Sequence, residues 1–225
     1  MTDGYEDITV KPLIDAIKNN KSVDMDLIDY KNVLLKEPNL VKLNMDGMAI
    51  DLGSMVKGYA TDLIVDIMDK YKIDDALIDL GGNIYAKGYN NTKLWRVGIQ
   101  NPRKKDGIIG YIDLHDKAIV TSGIVERGYH IVNPKIGKLV NNGVASMTII
   151  ANKGIDAEGL STGLYIMGID GIKKLNTMKE YAGIMIDDKK VYLTRNLKGK
   201  FILKDKKYIV EVIENEKEIS NDEII

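Results

Sequence analysis

The chain has 225 residues and carries 32 Lys plus Arg against 33 Asp plus Glu, a net charge of −1. This length supports a real hydrophobic core in one large or two small domains, and the balanced charge gives no electrostatic reason to expect nucleic acid or an anionic membrane as partner. There is no cysteine, which excludes disulfides and thiolate metal sites, and no apolar run is long enough to span a bilayer.

The acidic start Met1-Thr-Asp-Gly-Tyr-Glu-Asp7 lacks a signal-peptide core and a lipid-attachment cysteine, so a cytoplasmic protein is expected, a removed leader or anchor aside. Thr9 is read as the cap of a short helix with Pro12 in its first turn. A loop follows at Asn19–Ser22, then a short polar helix around Asp24 to Asp29. Val33–Lys36 and Val41–Asn44 read as a hairpin through Pro38-Asn39. Asp46-Gly47 turns the chain into a strand ending at Ile50–Leu52.

From Val56 the apolar residues Val56, Tyr59, Ala60, Leu63, Ile64, Ile67, Met68 and Tyr71 follow the spacing of one helix face. That face is expected to be buried, with Asp62, Asp66, Asp69 and Lys70 in water. A strand, a Gly53-Ser54 turn and a helix together place free N–H groups and a positive dipole end at the turn, a place for phosphate. Lys57 in the first turn is electrostatically misplaced unless it meets an anion. The alternative is an ordinary surface lysine.

Ala76–Ala86 reads as a strand, a Gly81-Gly82 break and a second strand. Such a Gly pair suggests a bulge or close backbone approach to a ligand. Trp95–Ile99, Gly110–Leu114 and Ala118–Thr121 continue the strands, with a basic turn at Asn101–Gly107 and a polar one at Thr121-Ser-Gly123. Val144–Ala151 is a strong strand. Asp156 then starts a helix through Met167, with a second helix to about Met178. Ala182–Ile186 and Lys190–Leu193 form a hairpin. Phe201–Ile213 is read as a last strand pair before a charged tail at 214–225. Strands joined by short turns predict an α+β fold, a mainly antiparallel sheet with packed helices, in a single domain over 1–213.

Glu158 and Thr162 stand four apart on one helix face, so a carboxylate and a hydroxyl point the same way. Hard oxygen donors suit Mg²⁺ or Ca²⁺, though such a pair is common by chance, and Asp156 or Ser161 are equally candidates to cap the helix. His130 precedes Asn133-Pro134, where a hydrogen-bonded structural histidine is the commoner outcome. His115 is expected in solvent. Walker, Gly-x-Gly-x-x-Gly and nucleophile-elbow motifs are absent.

In order along the chain, Asp7–Leu13, Ile50–Ala60, Leu80–Ile84, Trp95–Pro102, Thr121–Gly123, His130–Pro134 and Glu158–Thr162 resemble the ApbE-like FAD:protein FMN transferases. The resemblance implies an ApbE-like, T-fold-related domain. It implies FAD as substrate, with a divalent cation, usually Mg²⁺ and alternatively Ca²⁺, on its pyrophosphate. FMN passes to a Thr or Ser hydroxyl of an acceptor protein and AMP leaves. By position, Tyr5, Glu6, Asp7, Asp51, Lys57 and Val132 correspond to flavin-nucleotide contacts. Ser54, Glu158, Ser161 and Thr162 correspond to the metal segments. His130 and Lys57 correspond to the groups that assist transfer.

The departures from the family pattern fall around the flavin site. The chain starts inside the family's domain, without the usual N-terminal part. Glu158 stands where an Asp is usual, Tyr129 where a first histidine is usual, and Ile124–Gly128 is short and apolar. They leave open a non-catalytic FAD-binding or partner-binding member, a domain without a ligand, and a second chain that completes the site.

Overall fold

The computed structural model describes residues 1–104, 106–124, 128 and 130–214. Tyr129, residues 125–127 and the charged tail from 215 onward therefore lie outside the described residues. A 3₁₀ turn at Ile8–Val10 runs into α1 (Lys11–Lys18), and turns at Met25–Leu27 and Tyr30–Asn32 lead to the hairpin β1 (Val33–Lys36) and β2 (Leu40–Leu43). Helix α2 (Val56–Lys70) precedes β3 (Ala76–Asp79), β4 (Asn83–Lys87), β5 (Trp95–Gln100), β6 (Ile108–Leu114) and β7 (Lys117–Gly123). Short strands β8 (Val132–Asn133) and β9 (Lys138–Leu139) follow, then β10 (Ser146–Ala151), α3 (Gly154–Met167) and α4 (Ile169–Asn176). Strands β11 (Ala182–Ile186), β12 (Lys190–Leu193), β13 (Ile202–Leu203) and β14 (Ile209–Val212) complete the described chain. None of its helices is long and apolar enough to cross a membrane.

The fold is α+β. Its main sheet has seven strands in the order β14-β12-β11-β10-β7-β4-β3, antiparallel except where β14 lies parallel to β12. All six residues of β10 are buried, because both faces of this central strand are covered. Met147 and Ile149 face a core shared with Leu160 and Leu164 of α3 and Ile172 of α4. Ile150 turns the other way, into a core with Ile99, Ile109 and Ile112 from the three-stranded sheet β13-β6-β5. Period-2 alternation thus feeds two cores from one strand, and three layers result.

Several local expectations are corrected. Ile50–Leu52 is an extended loop rather than a strand: Asp51 N–H donates to the Ile8 carbonyl at 2.8 Å, while Ile50 and Leu52 are exposed. Thr9 does not cap the first helix. Asp7 caps its opening 3₁₀ turn by accepting from Thr9 N–H, and Thr9 is buried beneath it. The polar helix at Asp24–Asp29 is instead two single turns, capped by Asp24 and Asp29, whose carboxylates compete with a continuing helix for backbone N–H groups. Helix α3 begins at Gly154, two residues before Asp156. The last two strands do not pair with each other: β13 joins β6 and β14 joins β12.

The largest correction concerns α2. Its buried positions are Gly58 and Thr61, with Ile64, Val65 and Met68 packed against the first core. Val56, Tyr59, Leu63, Ile67 and Tyr71 point outward and are exposed. Asp62, expected in water, turns toward α3 and accepts from Gly154 N–H at 2.6 Å and Ile155 N–H at 3.1 Å. The cause is the close crossing of α2 and α3 at Gly58 and Gly154. A Cβ on Gly154 would lie 2.7 Å from the Gly58 carbonyl, and one on Gly58 would collide with the Gly154 carbonyl. Backbone contact, not the apolar stripe, sets the rotation of the helix.

Gly58→Ala is therefore expected to lower stability by about 2 kcal/mol or more, through overpacking against backbone that has no rotamer to change. Urea unfolding of wild type and variant measures it. Equal midpoints would show that the crossing tolerates a methyl group.

Candidate functional site

The same crossing builds the site. Glu158, on the second turn of α3, is buried, and its Oε2 accepts from Gly58 N–H at 2.6 Å. A carboxylate at this place meets both an orphan N–H and the positive end of α2. Its Oε1 lies 2.8 Å from Lys57 Nζ, whose side chain is 44% exposed. The lysine that looked misplaced in the sequence is held by an anion from a distant part of the chain, Glu158.

Around this pair opens a cleft of about 640 Å³. Its walls include Tyr5, Glu6 and Asp7 from the N-terminal segment, and Asp51, Ser54 and Lys57 from the loop and first turn of α2. His130 precedes β8 and Val132 opens it, and Glu158 and Thr162 come from α3. Ten of the eleven residues singled out in the sequence thus converge. Ser161 does not line the cleft. It is fully buried, donating to the Glu158 carbonyl at 2.8 Å and lying 2.8 Å from Ser122 Oγ. Ser122 in turn reaches Thr162 Oγ1 at 3.1 Å, so Ser161 braces the hydroxyl that faces the cleft. His115 lies elsewhere, 3.3 Å from Asp116 and against the Tyr89 ring.

The carboxylates are not equivalent. Asp7 is buried and fully engaged: Oδ1 accepts from Thr9 N–H at 2.8 Å and its hydroxyl at 2.6 Å, and Oδ2 accepts from Tyr30 N–H at 3.0 Å. It fixes the N-terminal wall. Asp51 Oδ1 accepts from Gly53 N–H at 2.8 Å and shapes the turn into α2. Glu6 accepts from the Ser54 hydroxyl. Burial pushes its carboxyl up to about 7; the Ser54 bond opposes this, and the charges of Asp7, Glu158 and Asp51 add to it. The cleft mouth is short of positive charge.

Hard oxygen donors short of positive charge suit a hard divalent cation. Against that, no group of three His, Cys, Asp or Glu side chains is placed to hold one among the described residues, and Lys57 and Gly58 N–H each engage one Glu158 oxygen. The donor set fits such an ion by its chemistry, with Ser54 and Thr162 supplying hydroxyls and Lys57 competing for the carboxylate. His130 is exposed, and its Nδ1 is 2.9 Å from the Gly128 carbonyl. With Nδ1 as donor in the neutral ring, Nε2 is left as an acceptor.

The sequence reading missed the apolar floor: Ile84, Val97, Ile99, Ile119 and Ile166 line the cleft. Their alternation in strands reads as ordinary core. The available signal was glycine, namely the Gly81-Gly82 break and Gly98 inside β5, all of which border the cleft. Lys135 Nζ stands 4.1 Å over the Tyr5 ring and ties that aromatic wall to the β8 segment.

A model of the ApbE family matches residues 1–185. The FAD:protein FMN transferase of Treponema pallidum is 30% identical over 213 residues, covering 81% of this chain and 58% of that protein. That of Escherichia coli K12 is 26% identical over 235 residues, covering 91% and 67%. The chain therefore spans 58% of the length of the first of these relatives. Among solved structures, the flavin transferase ApbE from Vibrio cholerae superposes with a TM-score of 0.77 at 25% identity, covering 88% of this chain and 72% of that one. The ApbE protein from Thermotoga maritima gives 0.77 at 29% identity, with the same coverage.

Glu6 makes stability depend on pH. Below its ordinary 4.5 both folded and unfolded chains are protonated. Between 4.5 and about 7 the unfolded chain releases a proton that the folded one keeps, so stability falls as pH rises. Above that range the loss is constant, on the order of 3 kcal/mol. Glu6→Gln is expected to flatten this slope, read by urea unfolding at pH 5 and pH 8 in EDTA. An unchanged slope would place the titration elsewhere.

Proposed function

The chain belongs to the ApbE family, and on that premise we propose that it is an FAD:protein FMN transferase using Mg²⁺ or Ca²⁺. The observation that carries this is the convergence of Tyr5–Asp7, Asp51–Lys57, His130–Val132 and Glu158–Thr162 on one cleft with an apolar floor. A flat apolar ring system suits the floor, and a diphosphate suits the lysine and helix end at the mouth.

In this reading the acceptor Thr or Ser hydroxyl attacks the phosphorus on the FMN side of the pyrophosphate. A new P–O bond forms, the bridging P–O bond breaks and AMP leaves with the electron pair. His130 Nε2 takes the hydroxyl proton while its Nδ1–H stays on the Gly128 carbonyl. Lys57 turns its ammonium to the phosphate oxygens, and the N-terminal end of α2 adds its dipole. Glu158, Thr162 and Ser54 would hold the cation, with Ser161 as brace. When bound, the cation supplies neutralisation of charge developing on those oxygens. Tyr5 and Val132 flank the nucleotide, and Asp7 and Asp51 keep the two walls in place.

A second reading is FAD binding without transfer. The specific support is that each Glu158 oxygen already has a partner, Lys57 on one and Gly58 N–H on the other. A second chain that completes the site also belongs to the proposal, supported by exposed Ile50 and Leu52 on either side of Asp51.

Incubation with FAD, Mg²⁺ and a Thr-bearing acceptor peptide is expected to give covalent flavin and AMP in equal amounts. FAD binding with no AMP would favour the second reading, and no FAD binding would reject both. His130→Ala is expected to slow transfer by about 10²–10⁴-fold while retaining FAD affinity, measured by flavin fluorescence. Loss of binding in step with rate would instead give His130 a structural role. Glu158→Gln is expected to weaken Mn²⁺ binding, read by paramagnetic resonance without FAD. Unchanged Mn²⁺ affinity would move the cation to other oxygens.

A further inference from the structure

Ser122, next to last in β7, borders the cleft together with Thr162, and the flavin reading gives it no part. Its Oγ lies 2.8 Å from Ser161 Oγ and 3.1 Å from Thr162 Oγ1. Ser161 Oγ lies 2.8 Å from the Glu158 carbonyl. These oxygens form one chain, from the cleft wall at Thr162 through Ser122 and Ser161 to the backbone of α3. Helix α3 supplies all of it except the Ser122 link, which comes across from the sheet. Ser161 is fully buried, so bulk water does not compete for the inner bonds.

A hydroxyl has a single proton to donate, and a carbonyl has none. The direction of the chain is therefore fixed from its inner end. Ser161 O–H donates to the Glu158 carbonyl, so toward Ser122 the Ser161 oxygen can only accept. Ser122 O–H is then used on Ser161, and toward Thr162 the Ser122 oxygen can only accept. Thr162 must donate inward, to Ser122. The Glu158 carbonyl is the competing acceptor, but it is 3.5 Å from Thr162 Oγ1. Its two lone pairs are already engaged, by Ser161 O–H and by the N–H of the helix ladder. Thr162 Oγ1 thus keeps lone pairs, and no proton, for the cleft.

We infer that Ser122 is a positioning residue that makes Thr162 an acceptor for a divalent cation. A hydroxyl free to turn offers its proton to a phosphate oxygen as readily as its lone pairs to a cation. One whose proton is held behind it can only accept, and each bond of the chain polarises the next. Ser122 therefore decides the sign of the charge that Thr162 receives: a hard cation is favoured and direct contact with a phosphate oxygen is disfavoured. The inference rests on the reading of Thr162 as a cation-holding group. It adds to that reading a residue on another element and the reason why this hydroxyl serves the metal rather than the diphosphate.

A double-mutant cycle on Mn²⁺ binding tests this, read by paramagnetic resonance on the whole chain without FAD. Ser122→Ala is expected to weaken Mn²⁺ binding by about 10–100-fold, the usual effect of removing a partner that orients a metal-holding side chain. Thr162→Val, close to threonine in shape, removes the oxygen itself and should weaken binding at least as much. In the Thr162→Val background, Ser122→Ala should change affinity by less than about twofold, because no proton is left to hold. Ser122→Ala takes one oxygen from a half-buried side chain, and urea unfolding checks that each variant is folded. A Mn²⁺ affinity unmoved by Ser122→Ala would overturn the inference. So would losses that multiply in the double variant, since Ser122 would then act by itself and not through Thr162. A wild type that binds no Mn²⁺ would overturn it as well, whatever the chain does with FAD. The expected coupling in a chain that releases no AMP from FAD would uphold the role of Ser122 and reject flavin transfer alone.

Discussion

The molecule depends on two helices that cap each other. Glu158 of α3 receives Gly58 N–H at the start of α2, and Asp62 of α2 receives Gly154 and Ile155 N–H at the start of α3. A helix start leaves backbone donors without partners inside its own ladder. Here each helix supplies the missing acceptor for the other, and glycine at both contact points lets the backbones approach closely enough for short bonds. Removing either acid would leave a buried donor unpaired, which costs more than the bond contributes when made.

From that crossing the cleft follows. The start of α2 and the second and third turns of α3 border the same space, so the hydroxyl of Thr162, the ammonium of Lys57 and the turn at Ser54 line it together. The N-terminal segment closes the opposite wall. It is pinned by Asp7 and linked to α2 through the Ile8 carbonyl and the Glu6–Ser54 bond. Glu6 is where the arrangement is least comfortable, a carboxyl buried among other acids and raised to about 7. A site with that imbalance favours positive charge. The main sheet is covered on both faces, so the cleft sits on a rigid support, with the glycines of the β3–β4 turn and of β5 along its border.

The face of α2 shows why helical periodicity misled here. Val56, Tyr59, Leu63, Ile67 and Tyr71 are apolar at the right spacing, and a monomer buries such a stripe when burial alone decides. Gly58 and Gly154 decided otherwise, because backbone approach with reciprocal capping fixes the rotation and leaves the stripe outside. Asp62 was assigned to water for the same reason and proved to be a cap. Ser161 is an instructive neighbour of Thr162: one residue along a helix turns the side chain by about 100°, enough to move a hydroxyl from cleft wall to interior.

Read alone, the sequence was sufficient for the α+β class, for most strands and helices, and for the ordered motifs by which ten of eleven singled-out residues line the cleft. Those properties are local or carried by short runs of residues, and alternation, turn chemistry and motif spacing record them directly. Only the tertiary structure decided which face of α2 is buried, where β13 and β14 pair, that Lys57 meets Glu158, and that isoleucines of three strands and a helix form the floor of the cleft. Each of these joins side chains or backbone groups distant in the chain. The free energy that selects them comes from contacts whose second partner no local pattern identifies.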